Sequence, residues 1–231
     1  MKKFLAIQHT YKGVEIALFN EAIVLQKMYD DKRRASRNFI SMLSSLLEQN
    51  NCVLGDLAFI AANRGPGPFT TLRVVLASVN GLGFATKLPL IGVDGLDAIL
   101  EEYRNTDYPV TVALLDAFSG DVYFGVETSA LDDRSKGYKN ITVLFEELLV
   151  LYPNTKMQFI GNGAIKYKKE IESLYKENAI LADPMPEQCS VSQIGRMAFG
   201  YWKNAEGLTD QLLPIYLKQM AFAKPEKPSS F

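Results

Sequence analysis

The run Asn63-Arg64-Gly65-Pro66-Gly67-Pro68-Phe69-Thr70-Thr71-Leu72-Arg73 constrains this chain more than any other stretch. It follows the apolar residues Leu57 to Ala62, which read as a buried strand. It leads into Leu72, Val75, Leu76, Val79 and Leu82, whose spacing predicts a helix from Leu72 to about Thr86. Two glycines and two prolines packed into a strand-to-helix junction leave the backbone few routes from sheet to helix. Such junctions often cradle phosphate, because free N–H groups point off the helix start. Here Pro66 and Pro68 carry no N–H, and no Gly-Lys-Ser/Thr follows, so the P-loop pattern fails. The run reads as a stiff turn that sets how the helix leaves the sheet, with ligand binding as the competing reading.

Length favours two lobes, since 231 residues are many for one compact domain and comfortable for two small ones. Hydrophobic residues make up 48%, enough for packed cores and too many for disorder. Lys and Arg number 25 against 26 Asp and Glu, so the chain lacks the basic excess of proteins that grip nucleic acid unaided. Cys52 and Cys189 lie far apart and read as core residues or lone thiols, which favours a reducing compartment. No apolar run reaches about 18 residues and no cleavable leader precedes the first strand, so the expectation is a cytoplasmic protein without a membrane partner. The one histidine, His9, excludes two-His and three-His metal sites within the chain. At the end of a strand it reads as structural.

Phe4–Gln8, Val14–Leu18 and Ala22–Tyr29 predict a three-stranded antiparallel meander. A helix follows from about Ser36 to Asn50, with Phe39, Met42, Leu43, Leu46 and Leu47 on one face. After the loop and its helix come a short strand, Leu90–Val93, and a brief helix capped by Asp94 and ending near Leu100. Beyond a connector, strands are expected over 110–115 and 122–127, then a mobile polar loop to Asn140, a helix over 143–151 and a strand over 157–161. A basic helix over 165–176 and a helix from Ser190 to about Trp202 follow, and the end from Lys224 to Pro228 is expected to fray. The divisions are a first lobe over 1–104, a second over 105–210, and a tail over 211–231 that packs back on the first. Asp116 and Asp121 flank a hairpin turn and read as turn residues, with acid–base work as the alternative.

Antiparallel strands followed by helix–strand–helix, twice over, resemble the actin, sugar-kinase and heat-shock-chaperone ATPase superfamily. That implies a two-lobed actin-like ATPase (ribonuclease H-like) α/β fold, each lobe a mixed sheet flanked by helices. Leu5-Ala6-Ile7, the 64–73 run, Pro89-Leu90-Ile91-Gly92-Val93, Leu115-Asp116-Ala117 with Gly120-Asp121-Val122-Tyr123, and Pro214-Ile215-Tyr216-Leu217-Lys218 are similar to the bacterial TsaB (YeaZ) family along essentially the whole chain. The resemblance implies a dimerisation and scaffold subunit for TsaD, with TsaE as ATPase, in making N6-threonylcarbamoyladenosine at position 37 of tRNAs that read ANN codons. TsaD holds the catalytic metal, and tRNA is met only through the complex. No catalytic residue, cofactor or metal is expected on this chain.

Superfamily ATPases place an Asp at the end of the first strand to organise hydrated Mg²⁺. This chain has Gln8-His9-Thr10 there, and neutral Gln8 is a poor anchor. It also departs from the family it resembles: Ala35 precedes Ser36 where His-Ser is common, Phe118 stands where Arg is common, and Gly67-Pro68 replaces Gly-Ser. An active ATPase or small-molecule kinase is the alternative reading, and a peptidase the weakest. The expected partner surface is Phe39, Met42, Leu43, Leu46 and Leu47 of the first helix with Val74, Ala77, Ser78, Gly81 and Ala85 of the second, binding TsaD or a second copy. The competing reading is that both helices only cover their own sheet. Arg64, Gly65, Pro66, Gly67, Pro68, Phe69, Thr70 and Arg73 form the expected structural loop.

Overall fold

The computed structural model describes residues 2–129 and 134–217, and within the first helix all side chains except those of Lys32, Ala35 and Ser36. The stretch Lys224–Pro228 and the substitution at Ala35 therefore lie outside the described residues and side chains.

The chain opens with three antiparallel strands, β1 (Lys3–His9), β2 (Gly13–Asn20) and β3 (Ile23–Asp31). β1 is apolar on both faces because both are covered: Leu5 and Ile7 enter one core, Phe4 and Ala6 another. Helix α1 (Lys32–Gln49) starts four residues before the expected Ser36, because the Asp31 side chain accepts from Arg33 N and caps the first turn. β4 (Leu57–Asn63) runs parallel to β1, α2 (Phe69–Thr86) follows the loop, and β5 (Leu90–Val93) pairs parallel with β4. Asp94 caps α3 (Gly95–Tyr103) through Leu96 N and Asp97 N.

The second sheet repeats the plan. β6 (Val110–Asp116), β7 (Asp121–Thr128) and β8 (Arg134–Asn140) are antiparallel, and β9 (Met157–Ile160) and β10 (Ala179–Leu181) continue in parallel beyond β6. Between them lie α4 (Ile141–Leu151), α5 (Asn162–Lys166) and α6 (Lys168–Tyr175). β8 occupies most of the predicted polar loop, a correction to that expectation. It is an edge strand whose Lys136 pairs with Asp94 at 2.6 Å and Asp97 at 2.7 Å, and whose Arg134 pairs with Glu101 at 3.0 Å. Its polar side chains thus clamp the second sheet to α3.

Helix α7 (Val191–Lys203) and β11 (Leu208–Thr209) complete the first lobe, with β11 pairing at the free edge of β5. The second lobe is therefore shorter than the expected 105–210. Phe199 and Trp202 of α7 join a stack with Phe4, Phe59 and Phe19, whose central pair lies 4.3 Å apart, and this apolar contact holds α7 to the first sheet. Strand orders are β11-β5-β4-β1-β2-β3 and β10-β9-β6-β7-β8. One core lies under α1 and α2, a second between the lobes with α3 and α7, and a third under α4 and α6.

Candidate functional site

The loop between β4 and α2 is held from inside. Asn63 Oδ1 accepts from Gly65 N at 2.8 Å, and Gly65 O accepts from Gly95 N at 2.8 Å. Gly65 has φ +100°, a left-handed angle that favours glycine. Gly67 is required for its lack of a side chain rather than for its backbone angle. Its φ lies outside that region, but a Cβ there would sit 2.3 Å from His9 Cε1, so the constraint is steric. From the other side, Arg64 Nε donates to Leu213 O at 2.7 Å and Ile215 N donates to Arg64 O at 2.8 Å. The segment 211–217 thereby straps the loop.

His9 is 3% exposed, and neither ring nitrogen has a hydrogen-bond partner among the described residues. Burial lowers its pKa from 6.5 to about 4, so the imidazole is neutral at physiological pH.

The two helices over the first core differ in what they show. Phe39, Met42, Leu43, Leu46 and Leu47 are each at most 7% exposed and pack with Leu5, Ile16 and Ile60. This corrects the expectation that they line a partner surface: α1 and α2 share one sheet face, and covering it consumes the whole apolar stripe of α1. What α1 turns outward is mostly polar: Arg33, Arg34 and Arg37 near its start, then Ile40, Ser41, Ser44, Glu48 and Gln49. On α2, Leu72, Val75, Leu76, Val79 and Gly83 are buried, while Phe69, Arg73, Ala77, Gly81, Phe84 and Ala85 are exposed and Val74 and Ser78 half-buried. Nothing lies within 4 Å of where a Gly81 Cβ would be. Small residues at 77, 81 and 85 would let another helix approach closely.

The cleft between the lobes is filled by side chains. Gln8 is fully buried, and its Nε2 donates to Cys189 O at 2.6 Å. Asn63 Nδ2 lies 3.4 Å from Gln8 Oε1, and the Cys189 thiol 3.3 Å from it. Tyr11 OH donates to Asp116 O at 2.7 Å, and Lys12 pairs with Glu187 at 2.6 Å. Burial pushes the Cys189 thiol well up, so it is an unreactive core group. Thr10 accepts through Oγ1 from Lys12 N and Gly13 N and shapes the β1–β2 turn. Asp116 accepts from Lys166 at 2.8 Å and Phe118 N at 3.1 Å, while Asp121 takes a hydrogen bond from Tyr138. Asp116 is thus held by its own turn and by α5, and Asp121 by the neighbouring strand β8. The roles of Cys189, Asn63 and Glu187 were invisible in sequence, because Asn63 ends β4 while Glu187 and Cys189 lie far along the chain in the segment before α7.

Each sheet places its first five strands in the spatial order 3-2-1-4-5, with strand 2 antiparallel to strand 1. Two such ribonuclease H-like units facing across a cleft define the two-lobed actin-like ATPase fold. A family model described as TsaD, tRNA N6-adenosine threonylcarbamoyltransferase, matches residues 29–201, and the chain belongs to that family, on its TsaB (YeaZ) branch. It is 22% identical to the tRNA threonylcarbamoyladenosine biosynthesis protein TsaB of Buchnera aphidicola subsp. Schizaphis graminum, over 66% of this chain and 89% of that protein. It is 28% identical to the TsaB of Escherichia coli K12, over 53% of each chain. YeaZ from Pseudomonas aeruginosa has the same fold, with a TM-score of 0.69 and 24% identity over 94% of this chain and 100% of that one.

Proposed function

We propose that this chain is the non-catalytic scaffold subunit of a machinery that forms N6-threonylcarbamoyladenosine on tRNA. In this reading it binds a TsaD-type catalytic subunit through the outer face of α2, and TsaE acts on the resulting pair. The substrate is position 37 of tRNAs reading ANN codons, met only through the complex. The carrying observation is the contrast between two surfaces. The cleft that serves nucleotides in this fold is closed by Gln8, Tyr11 and Cys189, while α2 leaves Ala77, Gly81 and Ala85 open to solvent. The near-zero net charge supports a partner-mediated route to tRNA.

The test is co-purification with TsaD from the same organism. Gly81→Arg places a long charged side chain where nothing lies within 4 Å, so the fold should survive. In an apolar helix–helix contact that unpaired charge should remove detectable binding. Co-purification at wild-type yield would move the partner surface elsewhere.

A further inference from the structure

We infer that Arg73, stacked on Phe69 and hydrogen-bonded to the Tyr216 hydroxyl, is a preorganised carboxylate receptor that makes the α2 face selective for an acidic partner subunit over a second copy of this chain. Resting on the docking role proposed for α2, the inference names the chemistry that the face recognises.

Phe69, Arg73, Ala77, Gly81 and Ala85 follow one another at four-residue intervals, so they form a single outward stripe. Arg73 is the only charged residue of α2. Its guanidinium carbon lies 3.8 Å from the Phe69 ring centre and 5.9 Å from that of Tyr216. Its Nε donates to Tyr216 OH at 3.1 Å. Phe69 and Tyr216 are themselves 42% and 52% exposed. Tyr216 is carried by the strap, which is anchored by Leu212 in the core and by paired hydrogen bonds between Leu212 and Asn80, at 2.8 Å and 3.0 Å.

Aromatic contacts and one hydrogen bond therefore fix the plane of an exposed guanidinium. Among the described residues nothing engages its Nη1 or Nη2, and no carboxylate lies within ion-pair distance. A planar fork held in this way loses little entropy when it binds a carboxylate in bidentate fashion. The surroundings set the sign of the partner. Along α1, Arg33, Arg34 and Arg37 are also exposed, and Glu48 is the only acid on either helix. Arg34 is paired with Asp30 at 3.1 Å. A second copy docked face to face would oppose cation to cation, whereas an acidic helix would be matched.

The experiment measures the affinity of the full chain for the same organism's TsaD by calorimetry at two salt concentrations, beside Arg73→Lys, Arg73→Glu and Gly81→Arg. Arg73→Lys keeps the charge but loses the fork, and is expected to weaken binding about tenfold. Arg73→Glu is expected to weaken it about a hundredfold or more while leaving self-association no weaker. Added salt should narrow the gap between wild type and Arg73→Glu. Gly81→Arg separates the two ideas. If it abolishes binding while both Arg73 variants bind as wild type, the carboxylate receptor is wrong and the docking face stands. If Gly81→Arg also binds normally, the docking face falls first. Inorganic phosphate and bulk tRNA, titrated against the chain alone, form the remaining arm. Arg73-dependent binding there, with TsaD affinity unchanged, would reassign the site to phosphate and overturn the inference.

Discussion

At the scale of single residues, His9 and Gly67 form one unit. The glycine leaves room for the ring, and the ring fills the space beneath the loop. Gly67→Ala forces a Cβ to within 2.3 Å of His9 Cε1. Overpacking of this kind costs about 1–3 kcal/mol, and denaturant melts should show it. The control is Gly81→Ala, where the new methyl meets nothing within 4 Å and helix propensity improves by about 1 kcal/mol, so stability should rise. His9 adds a pH dependence. Its pKa falls from 6.5 to about 4 on folding, so between those values the unfolded chain binds a proton that the folded chain refuses. Stability from this group is complete above pH 6.5 and is lost as pH drops toward 4, a difference of about 3 kcal/mol from the linked proton. Comparing wild type with His9→Gln between pH 6.5 and 5 isolates the effect from carboxylate titration. Parallel stability curves over that window would show that His9 does not titrate as described.

At the scale of elements, the residues that cover a sheet and those that face outward share one apolar vocabulary. Periodicity located the stripe of α1, yet it could not tell a stripe that covers a sheet from one left for a partner. Leu43 is 3% exposed, so Leu43→Glu buries an unpaired charge, costs about 4 kcal/mol or more, and should unfold the chain rather than merely uncouple it from a partner. Loss of soluble, cooperatively melting protein checks this. The meander, β4, α2 and β5 were legible because apolar runs lie between clear turn residues. β8 was not, because Arg-Ser-Lys-Gly-Tyr-Lys-Asn has no apolar alternation, and its side chains serve ion pairs to α3 instead. β10 and β11 are three and two residues long and sit at sheet edges, too short to leave a period. The start of α1 was missed because its first turn is polar and depends on the Asp31 cap. The Arg64–Arg73 loop announced itself in sequence, but the partners that hold it, His9 and the 211–217 strap, come from distant parts of the chain.

At the scale of the whole molecule, the two lobes are tied on both sides of the cleft. Lys136 and Arg134 reach α3 on one side, while Gln8 and Tyr11 bond to Cys189 and Asp116 on the other. Restoring the superfamily's acid therefore should not restore a nucleotide site. Gln8→Asp shortens the side chain, removes the amide donor that Cys189 O accepts from, and places a carboxylate at a position of 0% exposure. That carboxylate would meet the Cys189 carbonyl oxygen, an acceptor that repels it. An unpaired buried charge costs several kcal/mol unless it takes up a proton, and a carbonyl left without its donor adds about 1–3 kcal/mol. The expected outcome is a chain destabilised by several kcal/mol, with a stability deficit that shrinks at acidic pH as the new carboxyl is protonated. Mg²⁺-dependent ATP hydrolysis should stay at the buffer rate, because Tyr11 and the Asn63–Cys189 pair still fill the cleft. Thermal melts across pH, run beside a phosphate-release assay, test both halves. A Gln8→Asp variant that melts like wild type and turns over ATP would show that the cleft opens in solution, and that this chain is a latent ATPase rather than a closed scaffold.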